Sequence, residues 1–310
     1  MKPRYLFPSD YMADPSANVF NGRLYIYPSH DWDAGECFDD DGGHFQMKDY
    51  HVLSFDDLEQ GEVTDHGVIL DVEQVPWAEK QMWDNDVVEK DGKYYLIFSA
   101  KGYDGVFHLG VAVADSPEGP FRPMQDETYA PADQSTLDAS LWVEDGKPNL
   151  IFCHEWVQND NGTVEYIPLK PDLSGTYPEG RKLLFRAFDS PWSKDRLEDG
   201  TIRPNRVTDG PFVFRTKTGK LGMLWTSWVF GDYTQGVAYS ATGKLDGPWV
   251  QEKDPITPPN FGHGMIFTTF DGKRILCCHS HRPSDSMRIP AFFLVDDSGN
   301  KLKILGRYYP

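Results

Sequence analysis

Five residues with acid–base or metal-ligating side chains stand at nearly matching points along the chain: Asp14, Asp84 with Asp86 beside it, Asp138, Asp209 and His263. Each precedes an apolar stretch, a turn and a second apolar stretch, which is the pattern of a β-hairpin. The turn glycines Gly22, Gly92, Gly146, Gly219 and Gly272 follow at nearly constant distance. Taken singly, an Asp ahead of a strand is an ordinary turn residue. Five in repeat positions converge at one mouth if the repeats are arranged around an axis. Carboxylates gathered in a low-dielectric funnel cannot all ionise normally; like charges raise some pKa values, and neighbours split the set into acid and base. Acetal cleavage needs such a split pair, one acid to protonate the leaving oxygen and one base or nucleophile opposite it. A third carboxylate can orient the acid and hold its pKa up. Trp83, Trp142, Trp156, Trp225 and Trp228 lie near these entrances, where an indole can stack on a sugar face. One or two of the five are expected to touch ligand, and the others to pack.

The elements that carry these residues follow from the repeat. A second match is independent of the hairpins: Gly110-Val111-Ala112-Val113-Ala114 leads to Gly119-Pro120-Phe121, and Gly236-Val237-Ala238-Tyr239-Ser240 leads to Gly247-Pro248-Trp249. The unit is therefore longer than a hairpin. The expectation is an all-β, five-bladed β-propeller of four-stranded antiparallel blades, forming a single domain over 1–310. Blade one opens at Asp14, blade two covers Trp83 to Phe121, and blade three covers Asp138 to Phe188. A polar crossing from Trp192 to Pro204 leads to blade four at Asp209. Blade five runs from His263 to the end, with Lys301 to Leu305 as a strand. No apolar stripe recurs at helical period, which excludes a barrel of alternating strands and helices. The acidic loop from Asp31 to Gly43 is expected to be a solvated lid, since it lacks the ligand spacing of a calcium loop.

The bulk composition narrows the partners. A net charge of −18 argues against nucleic acid or an anionic membrane. Nine Trp, fifteen Tyr and nineteen Phe suit both sheet packing and sugar stacking. Cys37, Cys153, Cys277 and Cys278 show no metal spacing and read as buried thiols, apart from Cys37 in the acidic loop. Met1-Lys2-Pro3-Arg4 leads without an apolar leader into the first blade, so the expected location is cytoplasmic, or secreted if a leader has been removed. Asn161-Gly162-Thr163 reads as a turn. Homo-oligomerisation is left open.

With these residues in view, the chain resembles glycoside hydrolase family 43, five-bladed propeller enzymes that remove arabinofuranose, xylose or galactose units with inversion. The matching stretches are Ala13-Asp14-Pro15, Met47-Lys48-Asp49-Tyr50-His51-Val52, Trp83 through Asp86-Val87, Leu137-Asp138-Ala139-Ser140, Thr208-Asp209-Gly210-Pro211-Phe212 and Gly262-His263-Gly264-Met265. The resemblance implies that Asp14 is the general base, Asp138 the carboxylate that tunes the acid, and Asp209 the general acid. Here the chain departs from the pattern, because the usual residue is Glu. Asp is one methylene shorter, which sets its carboxyl back by about 1–1.5 Å. The resemblance further implies a channel cation near His263, Ca²⁺ or Na⁺, with no organic cofactor. It makes Arg288, Trp83, Asp86, Trp156 and Trp228 candidate contacts to an oligosaccharide substrate. The implied activity is an exo-acting glycosidase, foremost an α-L-arabinofuranosidase, with β-xylosidase or β-galactofuranosidase on the same constellation. A carbohydrate-binding propeller with a degenerate acid is the non-enzymatic alternative. Retaining fructan hydrolases are disfavoured, because Asn-Asp-Pro-Asn and Arg-Asp-Pro motifs are missing.

Overall fold

The structure is a computed structural model that describes residues 11–31, 35, 42–58, 62–129, 131–154, 156–284 and 287–309. The acidic loop expected as a lid, including Cys37, falls almost wholly outside the described residues. Among those residues the only helical segments are three single 3₁₀ turns; everything else regular is strand.

Among the described residues the strands form sheets of four, four, five and ten strands; along the chain they group into five runs of antiparallel strands, called units here, with units 4 and 5 sharing the ten-stranded sheet. Unit 1 comprises Tyr11–Phe20, Arg23–Asp31, Asp49–Phe55 and Thr64–Asp71. Unit 2 comprises Asn85–Lys90, Lys93–Gly102, Phe107–Ala114 and Arg122–Pro123, with Ala78–Lys80 paired on its second strand. Unit 3 comprises Thr136–Glu144, Lys147–His154, Thr163–Pro168 and Lys182–Arg186. Unit 4 comprises Asp209–Arg215, Leu221–Val229, Asp232–Ser240 and Trp249–Gln251. Unit 5 comprises Phe261–Thr268, Arg274–Ser284, Met287–Asp296 and Lys303–Tyr308, so the last strand starts two residues later than its sequence suggests. The polar crossing before unit 4 is itself a small hairpin, Lys194–Arg196 with Ile202–Pro204, joined to the second strand of that unit.

The first hairpins of units 1 to 3 close with two-residue turns in which both residues take positive φ: Asn21-Gly22, Asp91-Gly92 and Asp145-Gly146. That conformation matches the right-handed twist of the flanking strands. The two Gly-Pro steps singled out by the second repeat, Gly119-Pro120 and Gly247-Pro248, are both cis and precede equivalent fourth strands.

The second strand of each unit is buried on both faces, and its period of two divides it between two neighbours. In unit 2, Tyr94, Leu96, Phe98 and Ala100 face unit 1, whereas Tyr95 and Ile97 face unit 3. In unit 4, Leu221, Met223 and Trp225 face unit 3, whereas Leu224 faces unit 5. In unit 5, Leu276 and Cys278 face unit 4, whereas Ile275 and Cys277 face unit 1 with Leu24, Ile26 and Phe55. Five apolar layers thus link unit 1 to 2, 2 to 3, 3 to 4, 4 to 5 and 5 back to 1. The aromatic richness of the sequence is spent largely here. Cys153, Cys277 and Cys278 are buried free thiols in these layers.

Candidate active site

The first strands of units 1, 3, 4 and 5 each carry a bulge at the same point. Pairing slips between Ala13 and Ser16, Leu137 and Ser140, Asp209 and Phe212, and Gly262 and Met265. In each bulge one residue adopts the left-handed conformation: Asp14 at φ 47°, Asp138 at 58°, Gly210 at 51° and His263 at 50°. Asp, Asn, His and Gly tolerate that region better than other residues. Pro15 and Pro211 lack an N–H and so cannot continue the ladder there. The first strand of unit 2 has no bulge and pairs regularly from Asn85 onward. In unit 4 the left-handed position belongs to Gly210, so Asp209 precedes the place that Asp14 and Asp138 occupy. The sequence carries a trace of this: Asp209 stands ten residues before its turn glycine, Asp14 and Asp138 eight.

Asp14 is 4 % exposed and ringed by polar groups. Ser29 Oγ donates to its Oδ2 at 2.7 Å, and Arg288 Nη1 lies 3.4 Å from Oδ1. His263 Nδ1 and His279 Nδ1 each lie 3.2 Å from Oδ1, and the Asp14 N–H donates to His279 Nδ1 at 3.0 Å. Burial pushes the Asp14 pKa up, but Arg288, His263 and His279 outweigh it and hold the carboxyl well below its usual range. Arg288 is itself fixed by Asp31: its N–H and Nε donate to Oδ2 at 3.0 and 2.9 Å, and Nη2 to Oδ1 at 2.8 Å. Its guanidinium also lies over the Phe45 ring, 4.4 Å from the centroid.

Asp209 has the opposite environment. Burial, with Asp14 and Asp84 nearby, pushes its pKa up to about 7. The Tyr233 hydroxyl donates to Oδ2 at 3.1 Å, while the buried Oδ1 has no protein partner. Asp138 is also held well above its usual range, by burial and by Asp84, Asp209 and Asp14. Its Oδ2 accepts the Gly210 N–H at 2.9 Å, so Asp138 braces the residue next to Asp209. Asp84 accepts the Asp138 N–H at 2.8 Å, also accepts Ser99 Oγ, and is pushed to about 7 by burial and Asp14. His263 sits between these carboxyls. Its Nδ1 lies 3.9 Å from Asp138 Oδ2, its N–H donates to Thr226 Oγ1 at 2.9 Å, and its pKa is lowered by burial.

A cavity of about 620 Å³ opens over this cluster, within the range of small-molecule sites. Asp14, Asp138, Asp209, His263 and Arg288 all line it, as do Trp83, Trp156 and Trp228. Three of the five tryptophans singled out from the sequence therefore form wall. Trp225 is fully buried in the layer between units 3 and 4, and Trp142 packs under Arg215. Asp86 is corrected: it does not line the cavity. Its carboxyl accepts Ser16 Oγ at 3.2 Å and the Leu141 N–H at 3.0 Å, tying units 1 and 3 to unit 2. Full burial pushes it to about 6.

The sequence reading missed Asp31, Tyr233, His279 and His281. His279-Ser280-His281 continues the second strand of unit 5 past Cys278, and alternation alone would have put both imidazoles on one face. The crossing hairpin before unit 4 was also missed as wall; Asp195, Arg203, Asn205 and Arg206 line the cavity from it.

A ring of antiparallel units, a funnel of carboxyls with opposed pKa shifts and an indole-lined wall define a carbohydrate-processing β-protein. The chain belongs to Glycosyl hydrolases family 43, whose family model matches residues 9–291. It is 53 % identical over 301 residues to a xylosidase/arabinosidase of Bacteroides ovatus, a match covering 91 % of this chain and 90 % of the relative. It is 72 % identical over 127 residues to a β-xylosidase of Xylanibacter ruminicola; that match spans 41 % of this chain and 40 % of the relative's length. Among solved structures, a family 43 β-xylosidase/α-arabinofuranosidase from a compost microbial metagenome, in complex with xylotriose and in calcium-free form, superposes with a TM-score of 0.76. It shares 29 % identity, covering 95 % of this chain and 94 % of that one.

Proposed function

We propose that this chain is a single-domain, five-bladed β-propeller that hydrolyses terminal pentosyl groups of oligosaccharides with inversion. The observation that carries the reading is the opposed state of two carboxyls on one cavity. Asp14, beside Arg288 and two imidazoles, stays ionised; Asp209, half-buried with its Oδ1 covered and unpartnered, keeps its proton up to about pH 7. Asp14 takes a proton from a water as that water attacks the anomeric carbon. Asp209 gives its proton to the glycosidic oxygen as the C–O bond breaks, releasing the sugar and an alcohol. Asp138 holds Gly210, the residue next to the acid, while burial and the nearby Asp14 and Asp84 keep the Asp209 proton in place. Tyr233 orients the acid from the other side. The non-enzymatic alternative is weakened by this arrangement, since Asp209 has the burial and the free oxygen that a proton donor needs.

The relatives' names include both xylosidase and arabinosidase. The reading therefore takes α-L-arabinofuranosides and β-D-xylosides as the substrate class, with β-D-galactofuranosides as the outlying member. Trp83, Trp156 and Trp228 supply stacking faces, and Arg288 donates toward hydroxyls close to the base. The ligand atoms of Asp84, Asp138 and His263 lie within 4.8 Å of one another, and two carboxyls with one imidazole suit a hard cation such as Ca²⁺. Bound there, a cation would offset the charge that these carboxyls otherwise hold against one another.

The test is turnover of p-nitrophenyl α-L-arabinofuranoside, β-D-xyloside and β-D-galactofuranoside by wild type and by Asp14→Asn. One pentoside is expected to turn over, with loss in the variant. Binding of the sugars without turnover of any would overturn the reading.

A further inference from the structure

We propose that unit 1 carries a second divalent-metal site, separate from the catalytic cavity, made by His30, Asp49 and His51 and taking a borderline cation such as Zn²⁺ or Co²⁺. The three residues come together through the sheet register. Ser29 pairs with Tyr50, so His30 at the end of the second strand falls across from Asp49 on the third. Asp49 and His51 are two apart and point to the same face. The next residues inward on that strand, Tyr50 and Val52, point the other way into the layer with unit 2. None of the three lines the cavity.

The three donor atoms gather around one point, with His30 Nδ1 hydrogen-bonded to Asp49 Oδ1. His30 Nδ1 is 2.8 Å and His51 Nε2 is 3.6 Å from Asp49 Oδ1, and all three ligand atoms lie within 4.8 Å of one another. Donors bound to zinc at about 2.0–2.2 Å in a tetrahedron stand about 3.3–3.5 Å apart. The side chains are 23 %, 7 % and 13 % exposed, which leaves solvent access for entry and for a water ligand.

A second carboxylate stands behind the cluster. His51 Nδ1 lies 3.3 Å from Asp65 Oδ1, and a carboxylate only accepts, so the Nδ1 position carries the hydrogen and Nε2 is the atom turned toward Asp49. Asp65 is itself held by the Gly67 N–H at 2.7 Å. A carboxylate that orients a ligating imidazole through its far nitrogen is the usual outer support of a histidine metal site. Two imidazoles with one carboxylate select zinc-like ions over calcium. Such an ion would pin the end of the strand carrying Asp31, the residue that grips Arg288 against Asp14.

The experiment uses full-length, chelator-treated protein carrying His263→Ala, which removes the imidazole of the channel cluster. Co²⁺ is titrated in and followed by its visible ligand-field bands and by stoichiometry. One equivalent with imidazole-type bands is expected. Asp49→Asn and His51→Gln are each expected to weaken binding by about 100-fold or more, and Asp65→Asn by about 10–100-fold with stoichiometry kept. His30→Asn, at the most exposed of the three ligands, reads the same loss if the more buried variants fail to fold. No binding, or binding unchanged by His30→Asn and His51→Gln, overturns the site. Turnover is not part of this readout, so the glycosidase reading can fail without it.

Discussion

Asp14 and Asp209 have the same side chain and opposite protonation, and the difference lies in their neighbours. A guanidinium and two imidazoles stand beside one; burial, carboxylates and a single phenol surround the other. Asp14→Asn should lower kcat by about 10²–10⁴-fold on any leaving group. Asp209→Asn should cost far less with p-nitrophenol, which leaves with little protonation, than with an alkyl or sugar leaving group; comparing kcat on the two identifies the acid. The pH profile follows from the same pair. With Asp14 as the proposed base and Asp209 as the proposed acid, kcat/KM should be flat from well below pH 4 and fall as pH rises through about 7. Arg288→Lys removes the planar fork that spans Asp31 and Asp14. The Asp14 pKa should then rise, moving the acid limb of the profile upward; Arg288 also lowers Asp209, as the smallest of its causes, so the alkaline limb should move upward less.

At the scale of the strand, the bulge is the device that aims these side chains. It places Asp14, Asp138 and His263 in the left-handed conformation and gives that position to Gly210 in unit 4. Gly210 is needed twice over. Its φ is positive, and a Cβ on it would stand 2.8 Å from His263 Cδ2. Gly210→Ala should therefore displace both His263 and the adjacent Asp209. The expected outcome is a loss of at least about 1 kcal/mol in stability, measured by urea unfolding, together with a fall in kcat larger than any change in KM. The bulges were not legible in the sequence. Pro15 and Pro211 mark where the ladder fails, but only the pairing register shows which residue turns inward. Asp86 shows the same limit from the other side. It lies two residues from Asp84 in the same short stretch, yet its carboxyl is spent on Ser16 and Leu141.

At the scale of the molecule, the ring buries several carboxyls whose protons the unfolded chain would release. Asp84 and Asp209 are held near 7 and Asp86 near 6, all by burial first, and Asp138 is raised as well. Between about pH 4 and 7 the folded protein therefore binds more protons than the unfolded chain, and stability falls as pH rises through that window. Asp14, lowered by Arg288 and by the imidazoles of His263 and His279, works in the opposite sense, but below the ordinary carboxylate pKa. The melting temperature should be higher at pH 5 than at pH 8 in the absence of divalent ions. Asp86→Asn should flatten part of the difference without abolishing turnover, which scanning calorimetry with a parallel activity assay would read. A cation among Asp84, Asp138 and His263 should narrow the same gap, and chelator should restore it.

The sequence by itself determined the repeat, the hairpin turns, the all-β class and four of the residues that meet at the cavity floor: Asp14, Asp138, Asp209 and His263. These are local signals: turn glycines need positive φ, strands alternate, and repeated units place equivalent residues alike. Tertiary structure alone decided the rest. Asp31, Tyr233 and His279 matter because strands distant in the chain bring them against Asp14, Arg288 and Asp209. Which tryptophans form wall and which fill a layer depends on the face that ring closure turns inward. Most of all, the opposed pKa shifts of Asp14 and Asp209 are a property of burial and of charges up to 274 residues apart along the chain, and no stretch of sequence contains them.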